Sequence, residues 1–362
     1  QYIVATDVDA EDRIYLLDFN ANRIQVYEPT EFTSLLHEAL YLYSKGRYTE
    51  SKEPLQNVLK MNSMYTYANK AMGRAFFQEE DYSTALKYAR IAKDKAGYSD
   101  AYWEVRNKWL KKNIVPVVLI IVAIWLVFTV LGKLDKKKGI LSKPKALLEK
   151  FKNISIVKHI CFAWRYMRHP IDGAYELSRQ GMASVKAANI LLVIGIAEFV
   201  ISKYVCGFLI KTVSDGQYDI LRDVMQIVII LLAVTGCHYL VCTINDGEST
   251  VKKIYCYLVY SFTPYITFAP VIFILSYMVT NNEMFLITLT QFVMWSWIGV
   301  LIFLGIKEVN NYTVKETVKV ILLTLFTILI VALLVFIIYV LWAQVFEFVY
   351  ALIGEGVYRL GY

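Results

Sequence analysis

The sequence predicts a mainly α-helical, polytopic membrane protein with six spans, an extracytoplasmic α-helical repeat domain and a terminal β-meander. Three observations predict it. Six apolar runs follow a hydrophilic N-terminal third: Ile114–Gly132, then runs centred on Ala188–Ile210, Val224–Ile244, Ile254–Val279, Phe285–Ile306 and Val320–Ala343. Each reaches the roughly 20 residues that a helix needs to cross about 30 Å of hydrocarbon. Residues 32–99 repeat themselves at a fixed offset, and the cations are distributed asymmetrically between the connecting segments. The composition agrees: 57% of residues are hydrophobic and 19% charged, with 27 Tyr and 7 Trp available for the water–lipid boundaries.

The chain begins with three strand candidates: Tyr2–Val8, Arg13–Asp18 and Arg23–Tyr27, joined by short hydrophilic turns. Three strands cannot bury a core alone. The segments "RIYLLD" and "RIQVYEP" with an Asn-containing turn resemble one blade of an NHL-type β-propeller, which implies further blades upstream. The alternative is an isolated meander capping the next domain. The chain starts at Gln1 without a Met or a signal peptide, whereas a translocated domain ahead of its first span needs one. Upstream sequence is therefore expected. Residues 1–29 form this first segment.

Residues 30–113 come next, as a helical repeat domain. Gly46-Arg-Tyr48 recurs 34 residues later as Glu80-Asp-Tyr82; at the same offset Ala39 matches Gly73, Tyr43 matches Phe77, Ser51 matches Ala85 and Leu55 matches Ala89. This is the tetratricopeptide period. The small residues are expected where paired helices approach closely, and Tyr43, Tyr48, Phe77 and Tyr82 as buried rings between helices. A further helix, Asp100–Lys112, caps the stack. Such repeats bind peptide or protein; the alternative is a spacer.

The span 114–132 leads into a basic linker, residues 133–186. Its cations are Lys133, Lys136, Lys137, Lys138, Lys143, Lys145, Lys150, Lys152, Lys158, Arg165, Arg168, Arg179 and Lys186. By the positive-inside rule the linker is cytoplasmic, and the remaining loops alternate accordingly. Lys108, Lys111 and Lys112 before the first span oppose this, but are fewer. Residues 1–113, the segment 211–223, the loop Thr280–Met284 and the interfacial tail 344–362 then lie outside. Leu147, Phe151, Ile154, Val157, Cys161 and Trp164 recur at helical spacing among Lys145, Lys150, Lys152, Lys158 and Arg165, a basic amphipathic helix ended by His169-Pro170. Such a helix lies on anionic lipid or packs against the bundle or a partner. Tethering to membrane at both ends disfavours nucleic acid as its ligand.

The five-span region, residues 187–343, carries polar groups at cost: Glu198, Lys203, His238, Asn245 and Gln291. Glu198 and Lys203, five apart, do not pair along one helix and are expected to find partners on others. Pro264 and Pro270 free backbone carbonyls in the fourth span, beside Tyr260, Ser261 and Thr263. An ion path and structural hydrogen bonding between helices are both open readings. Ser261, Thr263, Gln291 and Ser296 are candidates for faces buried against a partner. The five cysteines show no paired metal-ligand spacing, the four histidines are scattered, and no hydrolase, zinc or phosphate-loop motif occurs. No catalytic residue, metal or cofactor is assigned.

From His169 onward, "HPIDGAYELSRQG", "CTINDGES", "YLVYSFTPYI" and "GIKEVNNYTVKETVKV" resemble the Yip (Ypt-interacting protein) family in its bacterial form. The resemblance implies that the last five spans are the family's five helices, with a non-enzymatic role in membrane organisation or partner binding. In bacteria it further implies an accessory or scaffold subunit of a carbohydrate ABC importer in the plasma membrane. Its partners would be a permease pair and an extracytoplasmic solute-binding protein or glycan. The competing reading is an independent transporter or channel using the intramembrane polar groups.

Overall fold

The computed structural model describes residues 2–138, 154–214 and 216–359. The chain divides into two compact units. The first is Gln1–Lys133 with Gly207–Ile210 and Met278–Met284; the second is Leu134–Cys206, Lys211–Tyr277 and Phe285–Tyr362.

The first unit opens with a three-stranded antiparallel sheet: β1 (Ile3–Val8), β2 (Ile14–Asp18) and β3 (Arg23–Tyr27), in that order. The β2–β3 register pairs Ile14 with Tyr27 and Asp18 with Arg23. Aspartates build both turns: Asp9 Oδ1 accepts from the amides of Glu11 and Arg13, and Asp18 Oδ1 from that of Ala21. Such side-chain acceptors close tight turns without help from a core. Ile3, Val4, Ile24 and Val26 remain exposed.

Two helical hairpins come after the sheet: α1 (Glu31–Ser44) with α2 (Tyr48–Met61), and α3 (Thr66–Gln78) with α4 (Tyr82–Ile91). The 34-residue offset carries into the backbone. Gly46 and Glu80, at matching positions, both adopt left-handed φ, 75° and 64°. Their amides donate to the carbonyls of Tyr43 and Phe77, and those of Arg47 and Asp81 to Leu42 and Phe76. These bonds satisfy the carbonyls that a helix end leaves free. Ala39, Ser51, Leu55, Gly73, Ala85 and Ala89 are all buried. A Cβ on Gly73 would stand 3.3 Å from the Ala89 amide nitrogen, so α3 and α4 meet where no side chain fits easily. The four rings expected between helices are half-buried. Tyr43 and Tyr48 flank one turn and Phe77 and Tyr82 the other. Each pair closes the turn end of its own hairpin edge-on, at 5.3 and 5.1 Å between centroids.

Helix α5 (Lys95–Lys138) continues from the capping region through Pro116. The expected cap Asp100–Lys112 and the first span are thus one 44-residue helix. Proline in a spanning helix removes one hydrogen bond without ending the helix. Near its start α5 holds the two short segments of its own unit. Ser99 Oγ accepts from the Asn281 amide, Tyr98 lies 4.8 Å from Phe208, and Arg106 forms two 2.6 Å bonds to Glu283.

The second unit contains α6 (Ser155–Arg168), α7 (Pro170–Arg179), α8 (Val185–Tyr204), α9 (Ile220–Ile244), α10 (Val251–Ser261), α11 (Thr263–Met278), α12 (Met284–Asn310) and α13 (Val314–Arg359). Met278 and Met284, at the ends of α11 and α12, belong to the first unit. Among the described residues six stretches are long and apolar enough to cross a membrane: Lys95–Val130, Val185–Tyr204, Ile220–Ile244, Val251–Met278, Asn281–Asn310 and Val314–Glu355. The fourth is broken at Phe262. Pro264 has no N–H for the Tyr260 carbonyl, and the Thr263 hydroxyl donates to that carbonyl instead, at 2.5 Å. The last helix runs to Arg359, so the expected tail 344–362 is helical as far as the described residues go. Apolar residues without proline carry the helix on past Ala343.

The linker helix is corrected in the same way. Lys145, Lys150 and Lys152 lie outside the described residues. In α6, Phe162, Ala163 and Tyr166 are buried in the bundle core, Trp164 packs against it, and Lys158 and Arg165 are exposed. A face of α6 next to the expected stripe covers the bundle; of the stripe itself, Val157 and Trp164 are half-buried and Ile154 and Cys161 exposed.

Candidate scaffold site at one end of the bundle

Four segments far apart in sequence meet at one end of the second unit. Tyr166 stands at the centre. Its phenol donates to the Leu301 carbonyl at 2.5 Å, and burial pushes its pKa far up, which keeps it a donor. Two glycines make room for it. A Cβ on Gly173 would lie 2.8 Å from Tyr166 Cα, and one on Gly305 would lie 3.2 Å from the Tyr166 hydroxyl and 2.8 Å from Tyr257 Cδ2. Cβ contacts that close force a ring or a helix to shift. Gly173 belongs to "HPIDG", Tyr257 to "YLVYSFTPYI" and Gly305 to "GIKEVNNYT", so three motif segments interlock around two buried tyrosines.

The fourth segment, Asn245–Ser249, is fixed to the Lys307–Tyr312 turn. Asp246 and Asn311 both adopt left-handed φ, 54° and 59°, as each helix ends. The Tyr312 hydroxyl donates to the Asn245 carbonyl at 3.1 Å. Gly247 is again a matter of space: its Cβ would meet Tyr312 Oη at 2.5 Å and Asn310 Oδ1 at 2.7 Å. Ser178 Oγ donates to the Glu308 carbonyl at 3.2 Å, and Arg179 approaches Glu248 to 3.5 Å. Asn310 Oδ1 and Ser249 Oγ are buried without a hydrogen-bond partner among the described residues. The four segments are thus held together by close packing and hydrogen bonds.

The polar residues read from the spans are dispersed. Lys203 finds its partner on another helix, Asp223 of α9, at 2.6 Å, and the Tyr204 hydroxyl donates to the same carboxylate at 2.5 Å. Glu198 Oε2 is buried and unpartnered among the described residues. His238 joins α9 to α13: Nδ1 lies 3.0 Å from Thr324 Oγ1, and Nε2 lies 3.3 Å from Cys242 Sγ. Ser261 and Thr263 are fully buried, and both bond back to their own helix turn, at the carbonyls of Tyr257 and Tyr260. Pro264 is buried beside them, whereas Gln291 and Ser296 are exposed. Among the described residues no cluster of three or more His, Cys, Asp or Glu is placed to hold a metal.

Sequence reasoning missed Tyr166, Gly173, Gly247, Gly305, Asn310 and Tyr312 as interlocking residues. All but Tyr166 lie inside the quoted motifs. The signal was the glycine in three of the four motifs, whose close contacts are spatial and invisible to spacing. Asp223, Arg106 and Glu283 were missed because their pairings are long-range.

A bundle of this kind, with its motifs spent on packing and helix capping, defines a polytopic membrane protein built around an interlocked helix junction. The Yip1 domain family matches residues 99–337, and the chain belongs to that family. The match begins within α5 and ends within α13, so it takes in the first span, the next four and the first part of the last. Yip1 domain proteins are generally non-enzymatic and take part in membrane trafficking. No curated protein and no solved structure matches the chain.

Proposed function

We propose that this chain is a non-enzymatic scaffold subunit of a membrane complex. The observation that carries the reading is the interlocked junction. Tyr166, Tyr257, Gly173, Gly247, Gly305 and Tyr312 are engaged in packing, which makes a fixed platform for other subunits. His238 bonds to Thr324 on another helix, as structural hydrogen bonding between helices requires, while Ser261 and Thr263 bond to carbonyls of their own turn.

The finer reading places the chain in a bacterial plasma membrane as an accessory to a carbohydrate ABC importer. The N-terminal domain lies outside and contacts a solute-binding protein or glycan; the bundle docks on the permease pair. The two hairpins at a 34-residue offset support a tetratricopeptide-like module, a class that binds protein segments. The exposed apolar faces of the meander are of the kind that neighbouring β-layers cover in a propeller. The linker cations Lys145, Lys150, Lys152, Lys158 and Arg165 supply charge for anionic lipid.

One observation favours the second reading, an independent transporter: Glu198 Oε2 lies unpartnered within the second span. Proteoliposomes of the pure chain separate the two. The scaffold reading expects no solute or proton flux above empty vesicles. Flux that Glu198→Gln or His238→Ala abolishes would establish the transporter.

A further inference from the structure

We infer that the outer face of α7 is a docking cleft for a basic amphipathic segment of a partner protein. This rests on the scaffold reading and names the chemistry of one partner. Helix α7 buries Gly173, Ala174, Leu177 and Ser178. Its opposite face carries two pairs at four-residue spacing: Ile171 with Tyr175, both more than half exposed, and Asp172 with Glu176. Residues four apart stand one above the other on a helix. An apolar stripe therefore runs beside an acidic one. Glu308 of α12 and Arg165 of α6 complete a cleft of about 400 Å³.

The charge of the cleft selects the partner. Arg165 is bonded to Glu176 at 2.5 Å and Lys307 to Glu308 at 2.7 Å. Asp172 has no ion pair among the described residues. Three carboxylates against two paired cations leave the cleft one uncompensated negative charge, at Asp172. Yet Lys158, Arg168, Arg179 and Lys186 are exposed on the surrounding elements. A basic surface suits anionic headgroups, but an acidic cleft within it repels them. Cationic side chains with aliphatic neighbours at helical spacing complement both stripes, and the volume, small for a ligand pocket, suits one or two inserted side chains.

The test uses the full chain in phosphatidylcholine nanodiscs and a fluorescent Lys/Leu peptide of about 18 residues, five helical turns. Fluorescence anisotropy should show salt-sensitive binding. The Asp172→Asn/Glu308→Gln double variant and Tyr175→Ser should each weaken it about tenfold. Asp172→Lys should lose the Lys peptide and gain its Glu-for-Lys counterpart, which no misfolded chain would do. Equal binding of a non-amphipathic permutation, or unchanged binding by all three variants, overturns the proposal. So does a Tyr175-dependent affinity for phosphatidylglycerol vesicles without any for the peptide, which would make the face a lipid surface. A chain that extracts alone yet binds the peptide in this pattern supports the cleft while removing the scaffold reading.

Discussion

Gly305 of α12 lies against the ring of Tyr257 of α10, so closely that a Cβ on the glycine would stand 2.8 Å from Tyr257 Cδ2. The ring is fully buried and cannot swing into solvent. Gly305→Ala should destabilise the bundle by about 1–3 kcal/mol through overpacking. Thermal unfolding of the purified chain in detergent checks this. An unchanged midpoint would show that the two helices have slack at this contact.

Arg106 and Glu283 form a second such relationship, this time electrostatic. Both side chains are about three-quarters or more shielded from water, and the guanidinium engages both carboxylate oxygens. A double-mutant cycle with Arg106→Ala and Glu283→Ala should give a coupling of about 1 kcal/mol. The Arg106 guanidinium also donates to the Met278 carbonyl, so Arg106→Ala should cost more than Glu283→Ala. The reverse order would mean that the carbonyl contact contributes nothing.

The Lys52–Glu79 pair joins α2 to the end of α3. The hydrogen bond from Lys52 holds the Glu79 carboxyl below the usual carboxylate range. A carboxylate with a depressed folded-state pKa contributes stability above its unfolded value, near 4.3, and loses it as the pH falls through the folded value. The protection of α2 and α3 against hydrogen exchange, relative to the intrinsic rate at each pH, should therefore fall below about pH 4 in the wild type. Lys52→Met should flatten that part of the profile; an unaltered profile would remove the pair as its origin.

The cation asymmetry predicts that residues 1–113 and the loop Thr280–Met284 lie on one side and residues 133–186 on the other. Residues 98–106 group with 207–210 and 278–284, while Arg179 groups with Glu248 and Ser178 with Glu308. Both sets agree with the alternation read from the loops. In a background without native cysteines, Asn281→Cys should react with impermeant maleimide on intact cells, and Ser142→Cys only after permeabilisation. Reversed labelling would invert the topology.

The spans and the hairpin period were legible because they rest on local quantities: run length, and small residues returning at one offset. Ala39, Ser51, Leu55, Gly73, Ala85 and Ala89 are buried as that offset requires. The rings beside the turns are shielded only in part, because burial at a hairpin end depends on which neighbouring elements cover it, and the 34-residue period says nothing of those. Continuity was misjudged at Pro116, where the helix ran on, and at Phe262, where it did not. The difference lies in the side-chain hydroxyl of Thr263, which takes over the carbonyl that Pro264 leaves free. The junction itself was hidden. Its glycines serve contacts between segments far apart in sequence, and nothing in their own neighbourhood announces the ring each one meets.

The central claim is that this chain works as a scaffold among other membrane subunits. Extraction in a mild detergent or native nanodiscs, with native mass spectrometry of the product, tests it most directly. The account predicts a defined stoichiometric complex with other integral membrane subunits, with Gly305→Leu reducing its yield by distorting the platform. A monodisperse lone chain that carries solute in proteoliposomes would contradict it.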